Sequence, residues 1–246
     1  MAKKQRLDKA IAMQGSLSRS EVKTLIRKGA VTVNGQVVKN ADFGVDFDND
    51  TVAVQGKELS LSMHIYLMLN KPKGVVSASE DKKLPTVVDL VPKELWRKGL
   101  FPAGRLDKDT TGFVLITDDG EFAHDILSPK KHISKTYHAL VNGTITDEMV
   151  EGFAKGVTIG EDFTLPASLK KISSEEQGDW GEVILKEGMY HQIKRMFGAY
   201  GLKVLELKRV QMGKLPLDPN LEEGKCRELT AEELRLVSTR DESTEE

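Results

Sequence analysis

The run Gly104-Arg-Leu-Asp-Lys-Asp-Thr-Thr-Gly-Phe-Val-Leu-Ile-Thr-Asp-Asp-Gly120 holds a bare carboxylate, Asp107, in a glycine-bounded loop just ahead of an apolar strand. A carboxylate fixed at the edge of a rigid element can serve as nucleophile or base, whereas an ordinary loop aspartate bonds its neighbouring amides. Two more runs carry side chains suited to chemistry. Lys186-Glu-Gly-Met-Tyr-His-Gln-Ile-Lys-Arg-Met-Phe197 contains adjacent cations, Lys194 and Arg195, while Ile193, Met196, Phe197 and Tyr200 recur at the spacing of one helix face, closed by Gly198. Ser128-Pro-Lys-Lys-His-Ile-Ser-Lys-Thr-Tyr137 sets Lys130, Lys131 and Lys135 before an aromatic ring. Such cations can hold phosphates while the ring stacks on an unpaired base. Tyr137 reads equally well as strand filling ahead of His138-Ala-Leu-Val141.

Rival chemistries fail on spacing or context. His132, His138 and His191 lack the i, i+4 pairing with a neighbouring Glu that a zinc hydrolase requires, and read as structural. Asp46, Asp48 and Asp50 open like a calcium loop, but Thr51 and Lys57 stand where Gly and Glu are needed, so these acids read as turns. Asp107-Lys-Asp-Thr-Thr111 has the Asp-x-Asp-x-Thr order of a magnesium-dependent phosphatase; the unbroken apolar strand expected before it is interrupted by Pro102 and Gly104. The single cysteine, Cys226, excludes an internal disulfide. Asp109, Asp118 and Asp119 read as loop and helix-cap residues, which leaves no metal site and no cofactor to expect.

Several elements must position these side chains. Phe113–Ile116 reads as a buried strand, followed by a cap at Thr117–Gly120 and a helix from Glu121 to Leu127. Ile65–Leu69 reads as another strand, with Asn70-Lys-Pro-Lys-Gly74 as a breaker loop in which Lys71 is an ordinary loop lysine. Residues 1–40 carry nine Lys or Arg against two acids, so the remaining 206 residues hold −9 of the net −2. This basic segment has its own pattern. Leu7, Ala10 and Ile11 give a short helix ended by Gly15, and Ser18 with Glu21 forms a capping box for a second helix. That second helix presents Arg19, Lys23, Arg27 and Lys28. Ala30-Val-Thr-Val33, Asn34-Gly35 and Gln-Val-Val38 then read as a hairpin, and Gln55–Ser62 as a linker. No apolar stretch approaches the roughly 20 residues of a membrane span. The charged start Met-Ala-Lys-Lys-Gln-Arg carries no secretory signal, so a cytoplasmic chain without membrane contact is expected. Arg240–Glu246 lacks any apolar residue and is expected to be disordered.

Two family resemblances organise these readings. Arg6-Leu-Asp-Lys, Ser18-Arg-Ser-Glu-Val and Ile26-Arg-Lys-Gly-Ala-Val-Thr-Val-Asn-Gly35 resemble the small αL-type RNA-binding module first known from ribosomal protein S-four. That resemblance implies phosphate contacts by Arg6, Arg19, Ser20, Lys23, Arg27 and Lys28. The Asp107 run, Leu69-Asn-Lys-Pro-x-Gly-Val-Val76, Lys135-Thr-Tyr137 and Glu187-Gly-x-x-His-Gln-Ile-Lys-Arg-Met196 resemble the motifs of pseudouridine synthases. The second resemblance implies an α+β fold with a largely antiparallel sheet and the isomerisation of a uridine flipped out of its stack. It casts Asp107 as the catalytic residue, Lys194 as its counter-charge, Tyr137 as the ring stacking on uracil, and Arg105 as a support that holds the target open. The Leu69-to-Val76 motif is implied to brace the loop. Met189 departs from the pattern, which more often has a basic residue there, and puts one RNA contact in doubt.

The expected organisation is residues 1–60 as the RNA-binding module, 61–236 as the catalytic domain and 237–246 as an acidic tail. Thr110-Thr-Gly-x-Val-Leu-x-Thr-Asp-Asp-Gly120 with His124, Ser128-Pro, His132 and Lys135-Thr-Tyr137 looks most like the branch acting on bacterial small-subunit ribosomal RNA. The implied partner is that RNA or a partly assembled small subunit, met by a monomer. Two alternatives stand at this point: a synthase acting on large-subunit RNA, and a noncatalytic RNA-binding assembly factor.

Overall fold

The computed structural model describes residues 4–15, 17–128 and 133–239, and its chain divides into two compact units. The first comprises residues 1–65 together with Val91–Leu100. Its elements are β1 (Gln5–Arg6), α1 (Leu7–Met13), α2 (Arg19–Arg27), β2 (Val31–Val33), β3 (Gln36–Val37), β4 (Gly44–Val45), β5 (Val52–Val54) and β6 (Lys57–Leu59). The Ser18 and Glu21 capping box forms as expected, with Ser18 N donating to Glu21 Oε2 at 2.8 Å. The β2–β3 turn places both Asn34 and Gly35 at positive φ, the conformation an Asn-Gly hairpin requires. Leu7, Ile11, Val22, Ile26, Val31 and Val52 fill the core between the helices and the sheet β3-β2-β5-β6.

The expected linker at Gln55–Ser62 instead contains a tight turn and a strand. Gln55 and Gly56, both at positive φ, make a second tight turn, and Lys57–Leu59 pairs antiparallel with β5. Only Leu59 of that strand is partly covered, so it offers little of the apolar alternation by which strands are recognised. Val91–Leu100 belongs to the same unit through Arg97, whose buried guanidinium donates to Gln14 Oε1 at 2.7 Å and Ser62 O at 3.1 Å. Gly15 is required beside it, because a Cβ there would lie 1.9 Å from the Trp96 carbonyl oxygen.

The second unit, Tyr66–Leu90 and Phe101–Glu246, has the α+β, mainly antiparallel architecture that the sequence predicts. It begins with β7 (Tyr66–Lys71), β8 (Phe101–Ala103), β9 (Thr111–Thr117), α3 (Gly120–Leu127) and β10 (Lys135–Val141). It continues with α4 (Asp147–Lys155), β11 (Thr158–Ile159), β12 (Asp162–Phe163), β13 (Ser168–Glu175), β14 (Gly178–Leu185) and α5 (Gln192–Ala199). The last elements are β15 (Val204–Met212), β16 (Leu215–Pro216), β17 (Cys226–Glu228) and α6 (Ala231–Ser238). The main sheet runs β13-β14-β10-β15-β9-β7-β17, with β8 on β9 and β16 on β15. All seven residues of β9 are buried, as befits a central strand. Phe153, Val183, Met196 and Phe197 pack α4 and α5 onto one part of the sheet, while Met68, Phe113, Ile126 and Val237 pack α3 and α6 onto another.

The β9–β15 pairing is parallel, in contrast to the other strand pairs of this sheet. It brings Gly112 against Arg209, where a Cβ would meet the Arg209 carbonyl oxygen at 2.2 Å. Gly112 therefore has a steric reason to stand just after the Asp107 loop. The helix expected to close at Gly198 runs on to Ala199, and Gly201, at φ +77°, takes the chain out of it. Helix α6 reaches Ser238, and the disorder expected for Arg240–Glu246 concerns residues outside those described. Among the described residues no helix is long and apolar enough to cross a membrane.

Candidate active site

The loop before β9 is held from beneath by the segment after β7. Ser77 Oγ donates to Leu106 O and accepts from Leu106 N, both at 3.0 Å, so one hydroxyl satisfies both backbone groups of that residue. Gly74 N donates to Lys108 O at 2.9 Å, and Thr110 N closes a turn on Asp107 O at 3.1 Å. Lys71 is not the loop lysine expected. It is the last residue of β7, fully buried, and its ammonium donates to Pro72 O, Lys108 O and Thr110 O at 3.1, 3.2 and 2.8 Å. Burial lowers its pKa to about 8 against the raising influence of Asp109 and Asp107. A cation enclosed by carbonyls is a structural clamp, and two of its three partners come from a loop 37 and 39 residues away.

Helix α5 delivers the counter-charge. Lys194 Nζ donates to Asp107 Oδ2 at 2.9 Å and to Asp109 Oδ1 at 2.6 Å. Burial would lower the Lys194 pKa, but the hydrogen bonds to Asp109 and Asp107 outweigh it and hold it above the ordinary lysine value. The Asp109 carboxyl lies below its usual range, chiefly through the bond from Lys194. Asp109 is thus a loop residue with a partner, the second anion on Lys194. His191 Nε2 stands 3.4 Å from the other oxygen of Asp107, Oδ1. His191 has φ 49° and ψ 35°, a left-handed conformation uncommon outside Gly, and immediately precedes α5. Gln192, buried, holds this turn by accepting from Met189 N at 2.9 Å and donating to Glu187 Oε1 at 2.6 Å.

A cavity borders Asp107, lined by Arg105, Tyr137, Leu185, Lys194 and Leu207 among others. Tyr137 stands half-buried in β10, packed on the core as strand filling, and lines this cavity. The buried Arg209 guanidinium donates from Nε to Phe113 O at 2.7 Å and lies 3.5 Å from the Tyr137 hydroxyl. A wider cleft of about 540 Å³ also reaches Asp107, between Ser77, Arg105, Lys108 and Tyr190. Arg105 is exposed and lines both spaces. The Asp107 side chain is 26% exposed, open enough for a substrate atom to reach it. Among the described residues no cluster of His, Cys, Asp or Glu is arranged to hold a metal.

The remaining expected contacts fall elsewhere. Lys135 is buried in β10, as is Thr136 beside it, and does not offer a surface charge to a phosphate. Lys130, Lys131 and His132 lie outside the described residues. In the first unit, Arg6, Arg19 and Lys23 converge on Asp8, a fully buried carboxylate that the sequence reading passed over. Arg6 also pairs with Asp42, and Ser20 Oγ bonds Ser18 Oγ at 3.0 Å. Burial would raise the Asp8 pKa, but hydrogen bonds from Arg6 and Arg19 outweigh it and hold it at about 2. Arg27 and Lys28 are exposed at the end of α2.

The fold agrees with comparisons against known proteins. A family model described as RNA pseudouridylate synthase matches residues 65–199, and an S4 domain model matches residues 5–52. The chain belongs to the RNA pseudouridylate synthase family, whose enzymes are isomerases acting on RNA, and it carries an N-terminal S4 domain. Among its relatives, Escherichia coli ribosomal small subunit pseudouridine synthase A is 43% identical, covering 94% of this chain and 99% of that protein. An uncharacterized RNA pseudouridine synthase of Bacillus subtilis is 44% identical, covering 95% of this chain and 98% of its own. A crystal structure of a pseudouridylate synthase superposes with a TM-score of 0.63 at 37% identity, covering 94% of this chain and 99% of that one.

Proposed function

We propose that this enzyme converts a uridine of small-subunit ribosomal RNA to pseudouridine, with Asp107 initiating the reaction. The observation that carries the reading is the state of the Asp107 carboxylate, with Oδ2 held by Lys194 at 2.9 Å beside a cavity that Arg105 and Tyr137 also line. One oxygen is anchored, and the other faces only a histidine nitrogen at 3.4 Å. A target uridine extruded from its stack would lay its base on the Tyr137 ring, while Arg105 occupies or contacts the space it vacates. Asp107 then either adds to C1′ or removes a proton from the sugar, and the bond from N1 to C1′ breaks. The freed uracil turns within the cavity and C5 bonds to C1′, displacing the Asp107 oxygen from C1′ on the first route and accompanied by return of the proton to the sugar on the second. C5 gives up its proton and N1 gains one, so the product is an isomer and the balance requires no redox partner or cofactor.

Lys194 sets a positive charge against Oδ2 of Asp107 and leaves Oδ1 for the reacting carbon. Arg6, Arg19, Ser20, Lys23, Arg27 and Lys28 of the first unit engage RNA phosphates, so affinity falls with rising salt. The paired residues among them do so as an assembled patch in which Asp8 and Asp42 hold the guanidinium of Arg6 in place. The small-subunit substrate is favoured by the name of the Escherichia coli relative, which aligns with nearly the whole chain. The enzyme works in the cytoplasm as a monomer on that RNA or on a partly assembled subunit.

Mass-shift labelling of pseudouridine in small-subunit transcripts and assembly intermediates, with and without enzyme, tests this reading. One new site is expected, absent with Asp107→Asn although RNA is still bound. Conversion confined to large-subunit RNA would overturn the assignment of substrate, and conversion that survives Asp107→Asn would overturn the assignment of the aspartate.

A further inference from the structure

The cleft beside Asp107 has an aromatic outer wall that the proposed reaction does not use. Tyr190 is 77% exposed, the most exposed of the large apolar or aromatic side chains. Its ring lies on that of His191, with centroids 3.8 Å apart and planes inclined by only 19°. Stacked aromatic pairs in proteins usually serve packing, and burial would then hide both outer faces. Here His191 covers one face of Tyr190, and most of the ring remains in solvent.

The backbone beneath is fixed. The left-handed His191, the Arg195 N to His191 O bond of 2.9 Å, and the Arg195 Nη1 to Tyr190 O contact of 3.4 Å hold the turn on which both rings ride. His191 in turn stands 3.4 Å from Asp107, and Tyr190 lines the cleft together with Arg105 and the exposed Lys108. A nucleotide placed at Asp107 therefore brings its chain neighbour within reach of Tyr190. The ring spacing of 3.8 Å is close to the ~3.4 Å rise of stacked bases, so a base laid on Tyr190 would extend the pair as a third layer.

We infer that Tyr190, backed by His191, is a stacking platform for the nucleobase adjacent to the target uridine in an unpaired stretch of RNA. The inference rests on the proposed reading of Asp107 as the centre at which the uridine is held. Stacking on a phenol ring has no hydrogen-bond code, so the platform accepts any base and supplies affinity without sequence choice. Lys108 beside it holds a phosphate of the same stretch.

The test uses stem-loop RNAs with one loop uridine flanked by 2-aminopurine on the 5′ side, on the 3′ side, or by an abasic site at either place. Binding to the full-length enzyme is expected to quench 2-aminopurine on one side, with Tyr190→Phe retaining the quench and Tyr190→Ala losing it. Tyr190→Ala should raise the RNA concentration for half-maximal conversion about tenfold on base-bearing RNA, and leave no difference from wild type when that neighbour is abasic. A quench that survives Tyr190→Ala, or an equal penalty on abasic RNA, would overturn the platform. Absence of pseudouridine with the wild-type enzyme would overturn the reading of Asp107 separately, because the quench is measured without turnover.

Discussion

Asp8 and Asp107 are both carboxylates gathered among cations, one in each unit, and they are finished differently. Asp8 has no exposed side-chain surface and is shared by Arg6, Arg19 and Lys23, which bond or approach both of its oxygens. Asp107 is 26% exposed, has one firm partner, and turns toward a cavity. A carboxylate with every lone pair engaged and no path to solvent can organise its neighbours but cannot meet a substrate. One that is anchored by a single cation on one oxygen keeps its reach. The difference separates a carboxylate closed to a substrate from one open to it more clearly than net charge or cation count does.

The sharpest way to break this contrast is to neutralise each acid in turn. Asp107→Asn should lower the single-turnover rate of pseudouridine formation by at least about 10⁴-fold with little change in RNA affinity. Asp8→Asn should leave conversion at saturating RNA within about threefold; a comparable loss of rate there would end the distinction. Removing the anchor comes next. Lys194→Met should cost about 10² to 10³ in rate, the scale of losing one preorganised charge partner, and Lys194→Arg should recover part of it.

Smaller effects sharpen the structural side. Lys71→Met leaves carbonyls of Pro72, Lys108 and Thr110 without their donor and should lower stability by about 1 to 3 kcal/mol in chemical denaturation. Lys71 also has a pH signature. Its folded pKa of about 8 lies below the unfolded lysine value near 10.4, so the unfolded chain binds more protons between them. The Lys71 contribution to stability should therefore rise from about pH 8 to 10, and the rise should vanish in Lys71→Met. Asp8 has the same sign of pH dependence, at the acid end. Its folded pKa of about 2 lies below the unfolded value near 3.9, so its contribution is complete above about pH 4 and disappears toward pH 2. Asp8→Asn, with half-exposed partners, should cost about 1 to 2 kcal/mol at neutral pH and flatten that acid limb.

Local signals in the chain were legible where they were chemical and short. Ser18 with Glu21 marks a helix start because two side chains satisfy two end amides, and Asn34-Gly35 marks a hairpin because both residues tolerate positive φ. The uniformly apolar Phe113–Ile116 run marks a strand covered on both sides. The pairing of Asp107 with Lys194 was reached through motif resemblance, since no periodicity links residues 87 apart. What stayed hidden was long-range and polar. Lys71 looks like any loop lysine until carbonyls from another segment surround it, and Asp8 looks like a helix-start acid until three cations fold over it. His191 was set aside as structural because only the left-handed turn brings it to Asp107.

Arg97 imposes an order on synthesis. The first unit is completed by a guanidinium that follows Ser62 by 35 residues, after β7 of the second unit has already been made. During translation, Gln14 and Ser62 must wait for it, so a nascent chain ending at residue 65 carries the helices and sheet of the first unit without one of its buried fasteners. That last fastener of the first unit precedes Asp107 by only ten residues in the chain.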